Sequence, residues 1–76
     1  MSRITPISSQ KLGKVFEKAG FRLARQEGDH CVYVKEGVAR PVVIPIRRDV
    51  PVFIIKNTLR SAGISREMYF KLLSEL

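Results

Sequence analysis

Between Phe21 and Ile46 the chain is cut twice by turn-forming pairs, Gly28-Asp29 and Glu36-Gly37, into the runs "FRLARQE", "HCVYVKE" and "RPVVIPI". Each run alternates apolar and polar side chains, the period of a strand with two unlike faces. Links this short join antiparallel neighbours, because a parallel pair needs a crossover of a dozen or more residues. The spacing therefore predicts three short antiparallel strands. Pro41 and Pro45 fall on one face of the third run and remove ladder donors there, which predicts an edge strand.

Helical periodicity flanks this sheet. In "SSQKLGKVFEKAGF" the apolar residues Leu12, Val15, Phe16 and Ala19 recur at i, i+3, i+4 and i+7, with Lys11, Lys14 and Lys18 on the other side. Ser8 or Ser9 suits the N-cap, and Gly20 suits the left-handed residue that ends the helix. After "RRD", Pro51 fits the first turn of a second helix capped near Asp49, with Val52, Ile55, Leu59 and Ala62 inward and Gly63 at its end. "VPVFII" is also compatible with a strand, so that first turn is open. Ser65 then caps a short helix striped by Tyr69, Leu72, Leu73 and Leu76. The order predicts an α+β fold, a two-layer α-β-β-β-α sandwich. Its three-stranded antiparallel sheet carries the helices on one face, and a short extra C-terminal helix follows. With 76 residues the chain supports one modest core, so residues 1–76 are expected to form a single domain.

Charge narrows the partners. The net charge of +7 divides as +4 over residues 1–27, −1 over 28–39, +4 over 40–60 and 0 over 61–76. Two basic blocks flanking the middle of the sheet favour a polyanion, nucleic acid before an acidic protein or an anionic membrane surface. The one cysteine excludes an internal disulfide, and no Cys/His cluster suggests a zinc site. No run approaches the roughly 20 apolar residues of a membrane span, and the first residues lack a signal-like apolar stretch. A cytoplasmic protein without metal or other cofactor is expected.

The only histidine, His30, stands beside the only cysteine, Cys31, just after the Gly28-Asp29 turn. Two readings of His30 are open. One is a strand-end histidine that bonds locally. The other is a general base between two basic blocks, taking the proton of a ribose 2′-OH so that the oxygen attacks the adjacent phosphorus. That chemistry requires RNA and no metal, since DNA lacks the internal nucleophile. Gly28 would project the site from the strand end, and Asp29 either orients the imidazole or simply makes the turn. Alternation places His30 with Val32 and Val34, on a face that helices would cover or leave free. It separates His30 from Cys31, expected to be a small buried hydrophobe, and from Tyr33, expected to pack rather than stack on a base. Arg47-Arg48 is either a phosphate contact ahead of a helix N-terminus or a solvated pair. Lys14, Arg25, Arg40 and Lys56 complete the candidate RNA contacts.

The ordered set "KLGKVFEKAGFRLARQEGDHCVYVK", "RPVVIPI" and "IIKNTLRSAGISREMYFKLL" resembles the HicA (YcfA) toxins of type II toxin-antitoxin systems, which are mRNA interferases. Asp29 stands where that pattern usually has serine, Cys31 where a second histidine is frequent, and Ile46-Arg47 where "RH" often follows the strand proline. The resemblance implies a fold similar to a double-stranded RNA-binding domain and metal-independent cleavage of mRNA by the histidine two after the glycine, His30 after Gly28. It also implies a HicB-like antitoxin as partner, through whose complex alone DNA is bound. The competing expectation is a non-catalytic module of the same fold that binds RNA or an acidic protein.

Overall fold

The computed structural model describes residues 3–76. The elements follow in the order α1 (Ser9–Lys18), β1 (Arg22–Glu27), β2 (His30–Val34), β3 (Val42–Pro45), α2 (Val52–Ala62) and α3 (Arg66–Ser74). The Ser8 hydroxyl caps α1 by accepting from the Lys11 N–H at 3.1 Å, and Ser65 caps α3 by accepting from Met68. Gly20, with φ +98°, turns the chain out of α1 toward β1. This is a backbone shape that residues with a Cβ adopt only at a cost.

The second helix departs from expectation at its start. Its N-cap is Pro51, extended at φ −58° and ψ 149°, and no side chain caps it, so Asp49 does not play that role. The reason lies one residue earlier. Val50 is drawn into an extended bridge with Ile7, donating its N–H to the Ile7 carbonyl at 2.7 Å, which leaves Pro51 as the residue where the chain changes direction. "VPVFII" is thereby divided, Val50 extended and Val52 onward helical. The last stripe is also shorter than predicted. Tyr69 and Leu72 are buried and Leu73 half-buried, but Leu76 lies beyond the end of α3 and is 45% exposed.

The strands lie in the order β1-β2-β3, both pairs antiparallel. Both outer strands are edges, and β3 is one of them, as its prolines predict. The Ile46 N–H donates to the Asp29 carbonyl at 2.6 Å, so alternate residues of β3 turn their main-chain groups toward β2. Pro41 and Pro45 fall in the other set, at positions whose N–H groups would have pointed out of the sheet. The edge is blunted without loss of a ladder bond.

One face of the sheet is covered. Tyr33 of β2 and Val42 and Ile44 of β3 join Leu12, Val15, Phe16, Phe21, Val50, Ile55, Leu59, Tyr69 and Leu72 in one core. Phe16 sits edge-on to Phe21, with ring centroids 5.4 Å apart, and tilted against Tyr33 at 6.5 Å. Tyr33 is therefore packing. Its hydroxyl end lies against the backbone of α1 at Gly13, where a Cβ would meet the Tyr33 hydroxyl and stand 3.0 Å from the ring carbon that bears it. Gly13→Ala gains about 1 kcal/mol of helix propensity. Overpacking of this kind costs about 1–3 kcal/mol. The expected outcome is a net loss of up to about 2 kcal/mol in urea unfolding; equal or greater stability would show that the ring yields freely.

Candidate active site

His30 opens β2 directly after the two-residue turn. Gly28 takes φ +56°, which lets the hairpin close in so few residues. The register pairs His30 with Glu27 on one side and with Pro45 on the other. Because Tyr33 faces the helices, the strand alternation sends His30, Val32 and Val34 to the opposite, uncovered face. Covered or open was the question the sequence left, and the answer is open: His30 is exposed. Val32 is nevertheless only 2% exposed, flanked by its cross-strand partners Arg25 and Val43. Among the described residues the His30 imidazole and the Asp29 carboxylate have no hydrogen-bond or ion-pair partner. Asp29 contributes its main-chain carbonyl, to Ile46, and does not orient the imidazole.

The carboxylate on the histidine's own face is Glu27, its cross-strand neighbour, and sequence reasoning passed it over. Arg25 holds it, with Nε 2.8 Å from Oε2, both side chains more than half exposed. The signal was available: a two-residue turn over 28–29 must pair residue 27 with residue 30. Phe53 was also overlooked. It is 66% exposed in the first turn of α2, where the inward spacing of Ile55 and Leu59 leaves it outside.

The other predicted contacts divide among several places. Arg47 follows two residues after Pro45, the partner of His30. It is pinned to the start of α1, with its carbonyl accepting from the Ser9 N–H at 2.9 Å and its N–H donating to the Ser9 hydroxyl at 3.1 Å. Arg48 is exposed in the same loop. Arg25 shares the open face with His30. Arg40 lies toward the opposite end of β3, beside α2 in a cleft that Asn57 and Ser61 also line. Lys14 lines a cleft of about 300 Å³ on the helix-covered side with Cys31 and Tyr33. Lys56 lies in a further cleft with residues of the N-terminal segment. Hence His30, Gly28, Asp29, Arg25 and Arg47 share one end of the sheet, Lys14 lies near that end on the helix-covered side beside Cys31 and Ile46, and Arg40 and Lys56 lie elsewhere.

Cys31 is half-buried against the core rather than fully buried, because the residues of β1 beside it are exposed and leave that part of the sheet thinly covered. Burial, followed by the nearby Cys31 and Glu17, pushes the Tyr33 hydroxyl above its usual 10.0, so at neutral pH it remains a neutral donor. Among the described residues no three His, Cys, Asp or Glu side chains come together as metal ligands, and no helix is long and apolar enough to cross a membrane.

No curated protein matches the chain significantly. A family model described as the HicA toxin of bacterial toxin-antitoxin systems matches residues 9–64, from the first residue of α1 to just past the end of α2. That span contains the sheet, both sides of the His30 hairpin and the Arg47-Arg48 loop, and it is well over half of the chain, so the protein belongs to the HicA toxin family.

Proposed function

We propose that this toxin is an endoribonuclease that cleaves mRNA without a metal ion, with His30 as its acid/base group, and that a HicB-like antitoxin neutralises it in the cytoplasm. The observation that carries the reading is the position of His30: the only histidine of a chain with net charge +7, exposed at a hairpin end with an unengaged imidazole. The imidazole takes the proton of a ribose 2′-OH, the freed oxygen attacks the neighbouring phosphorus, and the P–O5′ bond breaks. Water protonates the departing 5′ oxygen, leaving a 2′,3′-cyclic phosphate and a 5′-hydroxyl. In this reading Arg47, two residues after the strand partner of His30, stabilises charge gathering on the phosphoryl oxygens. The test is incubation of the purified protein with mRNA in excess chelator. Fragments with cyclic phosphate ends are expected; RNA that is bound with steep salt dependence and stays whole selects the non-catalytic RNA-binding module instead.

Glu27 offers an independent handle on the same face. An exposed ion pair contributes only about 0.2–1 kcal/mol to stability. Glu27→Gln should therefore leave the fold in place while releasing Arg25 for phosphate and removing a repelling charge. Tighter RNA binding is expected, with the slope of log K against log salt steeper by up to about 0.7 for a single strand. Unchanged affinity and slope would show that Arg25 does not contact the substrate.

A further inference from the structure

A cleft of about 410 Å³ lies along the free edge of β3, between that strand and α2. Pro41, Val42, Val43 and Ile54 supply its apolar lining, and the exposed Arg40, Asn57 and Ser61 its polar lining. Asn57 and Ser61 stand four apart on α2 and so share one side of the helix. Thr58 also borders the cleft, but its hydroxyl is engaged, donating to the Ile55 carbonyl at 2.7 Å. Among the described residues no carboxylate lines the cleft, and the side chains of Arg40, Asn57 and Ser61 have no hydrogen-bond or ion-pair partner.

The strand edge adds one more pair of polar groups. Val43 shares its strand parity with Pro41 and Pro45, so its N–H and C=O point out of the sheet, away from β2. The two prolines make the Val43 N–H the outward donor of this edge, too few donors for an added peptide strand to build a ladder. One donor and one acceptor beside a side-chain amide suit instead a single planar group with a donor-acceptor edge. A nucleobase has such an edge and apolar faces for the lining, and the phosphate it carries suits the unpaired Arg40. The cleft is also open to the His30 face. The Val43 side chain shares that face through its pairing with Val32, and Val43 lies two residues, about 7 Å, from Pro45, the strand partner of His30.

We infer that the cleft between β3 and α2 is a nucleobase subsite, receiving an unpaired base that flanks the scissile bond. This inference rests on RNA being the ligand, though not on cleavage. The test uses the whole protein with two 2′-O-methyl RNA decamers, one with mixed bases and one abasic, neither of which has the attacking hydroxyl. The wild type should bind the base-bearing decamer more tightly. Asn57→Ala and Ser61→Ala, exposed helix positions where alanine favours the fold, should each weaken that binding several-fold and leave the abasic decamer unaffected. Arg40→Gln should weaken both and lower the slope of log K against log salt by about 0.7. In amide NMR spectra the base-bearing decamer should shift the Val43 resonance. Unchanged base-bearing affinity in Asn57→Ala and Ser61→Ala, or equal weakening for both decamers, overturns the subsite alone. A Val43 shift that follows protein concentration without RNA means that a second copy of the chain fills the cleft, and overturns it too. No binding of either decamer by the wild type overturns the RNA reading with it.

Discussion

His30→Ala is expected to abolish RNA cleavage and growth arrest while leaving the fold in place. A positioned general base contributes roughly 10²–10⁴-fold to rate. No other histidine exists to replace it, and Tyr33, held protonated on the opposite face of the sheet, is no substitute. The structural cost should be small because the imidazole is exposed and has no partner among the described residues, so its loss opens no cavity and strands no buried polar group. The check is RNA integrity after induction, alongside cleavage by wild-type and variant protein with matched thermal midpoints. Equal cleavage by a folded His30→Ala protein would remove His30 from the chemistry. RNA binding should survive, since the phosphate contacts proposed for this chain are other residues.

Phe16→Ala is expected to unfold much of the protein at 37 °C. Phe16 is fully buried where α1 meets the sheet and touches both Phe21 and Tyr33. Removing a core phenylalanine costs about 3–5 kcal/mol. A domain of this length has roughly 4–11 kcal/mol of stability in all, at about 0.05–0.15 kcal/mol per residue. Urea unfolding should show the midpoint collapse, with loss of activity following loss of structure. A drop below about 1 kcal/mol would mean that the neighbouring rings close over the hole. Comparison with His30→Ala separates the two kinds of inactivity, one folded and silent, the other unfolded.

The helices and strands were largely readable from residue order, since each rests on local rules. The stripe of α1 and the Ser8 and Ser65 caps appear in the structure where spacing places them. So does the Gly28 turn. The misreadings share one cause. Asp49 resembles a cap, but the Ile7–Val50 bridge, formed between residues distant in sequence, decides where α2 begins. Leu76 continues the α3 period past the point where the helix ends. Cys31 has the composition of a core residue, yet its burial depends on how far α1 extends across the sheet.

The candidate site shows the same division. Sequence alone singled out His30 as the only histidine, at a hairpin end, and set it between two basic blocks, because turn chemistry and charge counts are local properties. It also separated His30 from Cys31, since adjacent strand residues face opposite ways. Which face the helices cover is a matter of packing, and only the tertiary structure decided it, leaving His30 open and Tyr33 enclosed. Tertiary structure likewise sorted the basic residues. Arg25 and Arg47 accompany His30, Lys14 is exposed on α1 on the helix-covered side, and Lys56 joins Arg3 and Arg66 in a cleft. Net charge is a sum over the chain and attracts a polyanion, but the positions of cations relative to one another depend on which distant segments the core draws together.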